Sequence, residues 1–294
     1  MGVTSSVNVH GLSRSISADV KRAVRKSCGF GCVICGSGVI QYEHVDPEFH
    51  EATEHRAECI TLLCPGCHGR VTTKMLSKAA VKRAMLAPAA LSKGFVRDFF
   101  DLCEGHPFIT IGGVELQRCR IPLEIFDREI LRIDPPEIDG ESFLLSGLFS
   151  DEAGRPTLQI EKNEWKAFSD SWDVVVRGSA IEVRNGPGNI VLRIVAVPPK
   201  GIVVERLKMK FGFVSLTASA EDLIIETPFG RQTFTQCLID RGSVGMSLFS
   251  IKPKPSMDPR WSGAAKIVWW HAVYGTAGLM SYLGDLERFG MARS

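Results

Sequence analysis

The sequence predicts an α+β protein in which a small zinc-stabilised domain precedes a β-rich domain. Six of the nine cysteines lie between residues 28 and 67, and four of these form two closely spaced pairs. Helix-like apolar spacing occupies the first third of the chain, whereas short runs of alternating character follow it. A length of 294 residues favours two domains over one. Gly105-His106-Pro107 is the natural boundary, so we predict domains over 1–105 and 106–294.

Composition and charge exclude several classes of protein. Hydrophobic residues make up 45% of the chain and charged residues 23%, which excludes a mostly disordered, collagenous or highly charged protein. Residues 1–100 carry 13 Lys and Arg against 8 Asp and Glu, a basic balance that permits binding to nucleic acid. The cysteines are clustered and the start of the chain has no apolar signal core, so we predict a cytoplasmic location. Residues 1–16 are expected to be flexible. The uncharged stretch 267–284 is too short and polar for a membrane span, and we expect a buried or partner-facing helix there.

The N-terminal domain is expected to combine helices with short strands and loops. Ser17 can cap a helix that ends before Gly29. Residues 39–45 alternate weakly in hydrophobicity, which predicts a strand. A helix is expected to follow the second cysteine pair through Met85, and a further helix is expected over 92–103.

Short β-like runs dominate the C-terminal domain. From residue 181 onward they start roughly ten residues apart, and Gly- and Pro-rich turns separate them. This spacing fits a sandwich, a small barrel or the stacked coils of a β-solenoid, and these three architectures stay open. Trp165 and Trp172 either line a ligand or partner surface or pack in the core. The runs are Ile109–Leu116, Ile181–Arg184, Ile190–Val195, Val203–Leu207, Phe213–Leu216 and Leu223–Ile225.

Two pairs of cysteines carry the strongest chemical signal in the sequence. Cys32 and Cys35 form one Cys-x2-Cys knuckle, and Cys64 and Cys67 form another. Four thiolates in two knuckles make a closed tetrahedral zinc site, which is the structural type because no coordination position is left for a substrate. The 28 residues between the pairs exceed a minimal zinc ribbon, so we expect the insert to be functional. Cys28 has a less regular spacing, and we assign it to packing.

The insert and the second knuckle place histidines close to an acidic residue. The segment opens with Arg25-Lys26-Ser27-Cys28-Gly29-Phe30-Gly31-Cys32-Val33-Ile34-Cys35-Gly36, continues with Glu43-His44 on the expected strand, and closes with Leu62-Leu63-Cys64-Pro65-Gly66-Cys67-His68 before a helix. Together these features resemble the HNH endonuclease family, the ββα-metal nucleases, over about residues 17–85. The resemblance implies a ββα-metal fold for this part of the chain and metal-dependent hydrolysis of DNA phosphodiester bonds as its activity.

The resemblance also implies a role for each site residue. His44 would be the general base that takes a proton from the attacking water, since a neutral imidazole can accept one. Glu43 and His68 would hold a divalent ion, Mg²⁺ or Mn²⁺, that stabilises the phosphorane and the leaving oxygen. Arg70 and Lys74, which follow His68, are the best candidates for contacts to DNA phosphates.

One position departs from the family pattern. Five residues before the third zinc cysteine the family usually has an asparagine that orders the loop carrying the base, and Cys59 stands there in this chain. A thiol cannot replace the paired donor and acceptor of an amide. Either another residue orders the loop, or the register differs, or catalysis is reduced. His50 and His55 lie in the same loop, where each either helps to bind metal or phosphate or is simply solvated.

These signals predict a metal-dependent DNA endonuclease whose C-terminal domain senses a signal or selects the target. Such an arrangement is expected of host-defence or restriction systems. RNA stays open as a substrate. Two other functions also stay open: an adaptor that binds nucleic acid without cutting it, which Cys59 suggests, and a protein-interaction module with a purely structural zinc unit. No membrane partner is expected. Trp261, Trp269 and Trp270 are compatible with self-association through the C-terminal domain.

Overall fold

The structure is a computed structural model that describes residues 7–102, 105–138 and 140–250. It is a mixed structure in which strands outnumber helices. The helices are α1 (Ala18–Ser27), α2 (Pro65–Thr72), α3 (Lys78–Leu86) and α4 (Ala89–Lys93), with a 3-10 turn at Ala57–Cys59. The strands are β1 (Gln41–His44), β2 (Ile60–Leu63), β3 (Phe95–Phe99), β4 (Phe108–Ile111), β5 (Val114–Ile125), β6 (Arg128–Asp134), β7 (Leu144–Ser150), β8 (Pro156–Glu161), β9 (Glu164–Phe168), β10 (Asp173–Arg177), β11 (Ala180–Gly186), β12 (Asn189–Val197), β13 (Gly201–Phe211), β14 (Val214–Ala218), β15 (Asp222–Thr227), β16 (Gly230–Thr235) and β17 (Cys237–Leu248).

The chain divides into two compact units. The first unit consists of Met1–Phe100 and Thr157–Ala196, and the second consists of Asp101–Pro156 and the chain from Val197 onward. The sequence-based boundary at residue 105 lies close to the break after Phe100. The segment 157–196, which the sequence assigned to the C-terminal domain, belongs to the first unit.

Among the described residues, no helix is long and apolar enough to cross a membrane. The stretch 267–284 and the tryptophans Trp261, Trp269 and Trp270 lie outside the described part of the chain.

A small core forms where α1, the β1–β2 hairpin, α2 and α3 meet. Ser17 caps α1 by accepting a hydrogen bond from the Val20 amide, as the sequence predicted. Strands β1 and β2 pair antiparallel, and all four residues of β2 are buried. Full burial of a side chain such as Leu62 or Leu63 stabilises the fold by roughly 1.5–3 kcal/mol. The remaining buried apolar side chains of this cluster are Ile16, Val24, Cys28, Cys32, Val33, Val45, Ile60, Cys67 and Val81.

A buried ion pair attaches this core to the later part of the same unit. The Arg25 guanidinium donates from Nε to Asp173 Oδ1 at 2.9 Å and from Nη2 to Asp173 Oδ2 at 2.5 Å. A third donor, Nη1, reaches the Tyr42 hydroxyl at 2.8 Å. The two charged side chains are only 9% and 1% exposed. Helix α1, strand β1 and strand β10 are therefore joined by one guanidinium.

The expected helix over 92–103 is wrong for most of its length. Helix α4 ends at Lys93, the capping residue Gly94 adopts a φ of +81°, and the chain continues as strand β3, antiparallel to β9. Phe95 and Phe99 are four residues apart, a spacing that imitates a helical face, but Phe99 is 67% exposed. The buried side chain of β3 is Val96, and Trp165 of β9 packs beneath Gly38 in the same layer. Trp165 therefore packs in the core, which is one of the two alternatives that the sequence left open.

The single helix predicted after the second cysteine pair is also wrong, because the chain forms two shorter helices there. Helix α2 ends at Thr72, and Lys74 adopts a left-handed φ of +62°. Ser77 then caps α3 by accepting a hydrogen bond from the Ala80 amide. This break lets α3 approach the β1–β2 hairpin with its first residue, Lys78.

The second unit is built mainly from antiparallel meanders. Strands β4 to β7 pair in order, and β13 to β16 do the same, while β4 pairs with β13 and β5 with β17 in parallel. The predicted run Ile109–Leu116 forms two antiparallel strands, because the chain turns at Gly112 and Gly113. These two residues lie so close to the Asp222 and Glu221 carbonyls that a Cβ at either position would collide. Consecutive strands that pair antiparallel differ from the parallel stacked coils of a β-solenoid.

Candidate functional site

The two cysteine pairs come together as the sequence predicted. The Sγ atoms of Cys32, Cys35, Cys64 and Cys67 all lie within 4.8 Å of one another, and those of Cys35 and Cys64 are 3.7 Å apart. A regular tetrahedron with Zn–S bonds of about 2.3 Å has edges of about 3.8 Å, so four thiolates at this separation fit a metal ion such as zinc. Cys28 is not part of this cluster and contacts Thr61 Oγ1 at 3.6 Å.

Local backbone geometry shapes each knuckle. Gly36 follows the first pair with a φ of +83°, and its amide donates to the Cys32 carbonyl at 2.8 Å. Cys64 caps α2, where its Sγ accepts a hydrogen bond from the Cys67 amide at 3.3 Å. Burial raises the pKa of the Cys35 thiol to about 11. Since a metal binds the thiolate, loading this cluster releases protons.

The hairpin and α2 bring Glu43 and His68 into direct contact. Glu43 lies opposite Thr61 in the β1–β2 ladder, and His68 follows Cys67 on the first turn of α2. Glu43 Oε2 and His68 Nε2 are 3.0 Å apart. Two ligands on adjacent corners of an octahedron with bonds of about 2.1 Å also lie about 3.0 Å apart. These two atoms therefore fit a shared divalent ion as well as a direct hydrogen bond.

Lys78 is a third member of this cluster. Its ammonium group contacts Glu43 Oε1 in an ion pair and donates to the His44 carbonyl at 2.7 Å. Nothing in the sequence distinguishes Lys78 from the other basic residues of this region, because its approach depends on the break between α2 and α3. Its position balances one negative charge of the site.

His44 lies at the end of β1, beside Glu43 but turned into the loop that follows. Its Nε2 is 3.1 Å from Nδ1 of His55, and its ring meets that of Phe49 edge to face at 5.4 Å. Burial lowers the pKa of His44 below the usual histidine value, and the nearby His55 lowers it further, against an opposing effect of Glu43. His44 is therefore held as a neutral imidazole near neutral pH.

These residues line one cavity of about 500 Å³ in the first unit. Glu43, His44, His68 and Lys78 all face it. Two further cations line the cavity, Arg14 from the chain before α1 and Lys21 from α1 itself. A concave surface that combines carboxylate, imidazole and cationic groups can bind an anionic ligand beside a metal ion.

The two residues predicted to contact phosphates stand apart from this cavity. Arg70 is exposed on α2, the helix that also carries His68, whereas Lys74 is exposed beyond the end of that helix. Neither belongs to the residues that line the cavity. Arg25, another basic residue of the same region, is engaged by Asp173 and Tyr42 in the core.

Cys59, at the position where the HNH family has an asparagine, does not orient the base with its side chain. Its Sγ accepts a hydrogen bond from Arg56 Nη2 at 3.3 Å, and its carbonyl accepts one from the Val45 amide at 2.8 Å. His50 is 67% exposed, lies 3.6 Å from Glu48 and from Glu51, and also lines the cavity, so both alternatives for it stay open. His55 reaches the base candidate His44 directly.

Comparisons with known proteins give no family assignment: no family model, no curated protein and no solved structure matches this chain.

Proposed function

We propose that the first unit is a metal-dependent endonuclease of the HNH type that hydrolyses phosphodiester bonds of DNA. The observation that carries the proposal is the 3.0 Å contact between Glu43 Oε2 and His68 Nε2, next to the base candidate His44 in one cavity. All three side chains lie on a hairpin and helix that the four-cysteine cluster holds together. The proposal rests on this arrangement and on the resemblance of the motifs.

The four cysteines would hold a structural zinc ion. Cys64 and Cys67 lie directly before His68, so a metal bound by them fixes the backbone that carries this ligand. Because all four coordination positions are taken by sulfur, this ion would take no part in the reaction.

Glu43 and His68 would hold a divalent ion, Mg²⁺ or Mn²⁺, that stabilises negative charge on the phosphate and the leaving oxygen. Water and phosphate oxygens would complete its coordination, since ions of this kind often use only one or two protein ligands. His44 is neutral and accepts the proton of the attacking water. Lys78, which balances Glu43 in this structure, lies where it can also contact the phosphate.

The cations of the cavity favour a polyanionic substrate. Arg14, Lys21 and Lys78 line it against the carboxylates of Glu43 and Glu48. Contacts of this kind attract phosphates without regard to base sequence, and the resulting affinity falls as salt concentration rises. Arg70 and Lys74 would extend the contact along the strand from outside the cavity.

The second unit would control where or when the first unit cuts, as in host-defence or restriction systems. Among the described residues of the second unit, no group of three or more histidine, cysteine or acidic side chains is placed to hold a metal.

One observation favours a second candidate, an adaptor that binds nucleic acid without cutting it. The ion pair between Lys78 and Glu43 already supplies the positive charge that a divalent ion would bring. If that pair persists in the presence of metal, the cavity binds phosphate but does not hydrolyse it.

A nicking assay on supercoiled plasmid tests both candidates. The zinc-loaded full chain is compared with His44→Ala and Glu43→Gln, with Mg²⁺ or Mn²⁺ added. The matched control is His10→Ala, which removes an exposed histidine that does not line the cavity. We expect the wild type and His10→Ala to nick the plasmid, and His44→Ala to lose at least about 10²-fold in rate, as for removal of a general base. Binding without nicking by the wild type would favour the adaptor, and cleavage of single-stranded RNA but not DNA would reassign the substrate.

A further inference from the structure

His55 is the residue closest to the base candidate that the function proposed above leaves without a role. It lies in the loop between β1 and β2, eleven residues after His44, and its ring centroid is 5.2 Å from that of His44. Its two ring nitrogens have different partners. Nδ1 is 3.1 Å from His44 Nε2, and Nε2 is 2.8 Å from the Ser13 carbonyl oxygen.

The Ser13 carbonyl decides where the hydrogens of both rings lie. A carbonyl oxygen can only accept a hydrogen bond, so Nε2 of His55 must carry the hydrogen. A neutral His55 then has an unprotonated Nδ1, which can only accept from His44. The hydrogen between the rings therefore belongs to His44 Nε2. Consequently, Nδ1 of His44 is the nitrogen that keeps a lone pair and can take a proton.

The N-terminal segment that contains Ser13 is hydrogen-bonded to the loop that carries His55. Both hydrogens of the Asn8 amide are used, one on the Phe49 carbonyl and one on the Ala52 carbonyl, at 2.6 Å each. The Asn8 oxygen accepts from the Leu12 amide at 2.9 Å, which closes the turn before Ser13. Residues 7–16 were expected to be flexible, yet this part of the chain makes specific contacts with the loop.

An aromatic ring lies beside the two imidazoles. The Phe49 ring is nearly parallel to His55, with an interplanar angle of 12° and 6.5 Å between centroids, and it meets His44 edge to face. Arg14 lies over the Phe49 ring at 4.6 Å from its centroid. The hydrogen bond between the two rings is partly buried, which reduces competition from water, whereas the bond from His55 to Ser13 is exposed.

We propose that His55 is a positioning residue for His44. The Ser13 carbonyl accepts a hydrogen bond from His55, and His55 accepts one from His44, a chain of contacts that we call the relay. In this arrangement Nδ1 of His44 is left to accept the proton. Asn8 secures the start of this relay. The assignment of a base role to His44 rests on the proposed nuclease function, whereas the relay itself rests only on the hydrogen bonds. The two are therefore tested separately.

The relay is tested by nuclear magnetic resonance on the zinc-loaded full chain with ¹⁵N-labelled histidine and no other divalent ion. We expect a scalar coupling across the hydrogen bond between His44 Nε2 and His55 Nδ1, with the proton attached to His44. The signal should survive in His50→Ala and disappear in His55→Leu. A proton attached to His55 Nδ1, or the absence of any coupling in the wild type, would overturn the proposal. The wild-type measurement, which decides the proposal, needs no nuclease activity and does not depend on the folding of a variant.

The consequence for catalysis is tested by single-turnover nicking. We expect His55→Leu to lower the rate by about 10–100-fold, in line with other partners that orient a catalytic ligand, without changing the DNA concentration at half-saturation. His55→Gln should recover most of the rate, since its amide can accept from His44 and donate to Ser13. If the wild type cuts and His55→Leu cuts equally fast, the positioning role is refuted. If the wild type does not cut, the nuclease assignment fails and the resonance experiment alone decides the relay.

Discussion

Removal of the Arg25 side chain should destabilise the first unit far more than removal of an exposed arginine. In Arg25→Met, the Asp173 carboxylate loses both hydrogen bonds of the guanidinium while it stays 1% exposed. Two unit charges about 4 Å apart attract each other by about 4 kcal/mol at an effective dielectric constant of about 20. Loss of one partner from a buried pair typically costs about 3–5 kcal/mol. We therefore expect a decrease of about 3–5 kcal/mol in the free energy of unfolding.

The matched control is Arg97→Met. Arg97 forms an ion pair with Glu164 at 2.7 Å in the same unit, but its side chain is 46% exposed. Exposed pairs contribute at most about 1 kcal/mol, because water and salt screen them. The double variant Arg25→Met with Asp173→Leu removes both buried charges together, and it should cost much less than the sum of the two single changes.

Urea unfolding of the zinc-loaded protein measures these differences. Circular dichroism and tryptophan fluorescence are recorded together, so that coincident curves identify one common transition. If Arg25→Met costs no more than Arg97→Met, the ion pair does not stabilise the unit as its burial implies. Additive costs in the double variant would show instead that the two side chains act independently, contrary to their bidentate geometry.

Three further predictions concern the metal cluster, the base and the packing beneath the first knuckle. The chain should bind one zinc ion, which atomic absorption should find lost in Cys35→Ser but retained in Cys28→Ser, because only the former removes one of the clustered thiols. The fold lowers the pKa of His44 below the ordinary histidine value of about 6.5. Below about pH 6.5 the folded state therefore binds fewer protons than the unfolded chain, and the free energy of unfolding should decrease as the pH falls. His44→Gln should flatten that part of the curve of unfolding free energy against pH, and an unchanged slope would contradict the assignment. Gly38→Ala should lower the free energy of unfolding by about 1–3 kcal/mol, because the added methyl group would collide with the Trp165 ring, and a neutral effect in urea would show that this packing is loose.

The parts of the fold that could be predicted from the sequence are those governed by local chemistry. Four cysteines at knuckle spacing have few arrangements other than a shared metal, and they do lie together. The capping hydroxyl of Ser17 stands directly before a helical pattern, and the helix begins there. The short run Ile190–Val195 lies within strand β12, where Val191, Leu192 and Ile194 are buried.

The parts that could not be predicted depend on partners far away in the chain. Phe95 to Phe99 has an apolar spacing that suits either a helix or a strand, and pairing with β9 decides in favour of the strand. That same pairing brings residues 157–196 into the first unit. Nothing in the local sequence of Asp173 indicates that it receives Arg25, since 147 residues separate the two.

The candidate site contains residues of both kinds, some set by local sequence patterns and some by distant partners. This difference explains which of its residues could be predicted from the sequence. Glu43, His44 and His68 could be named in advance because they occupy positions of the motifs that resemble the HNH family. The contacts of Lys78 and His55 could not be predicted, because that of Lys78 depends on the break between α2 and α3, and that of His55 depends on a carbonyl before α1. Different contacts therefore lie next to the two parts of the candidate site. His68 directly follows Cys67 of the four-cysteine cluster, whereas Asn8 and Ser13 contact the loop beside His44. A change in the cysteine cluster should therefore displace His68, the proposed metal ligand, first, and a change in the N-terminal segment should displace His44, the proposed base, first.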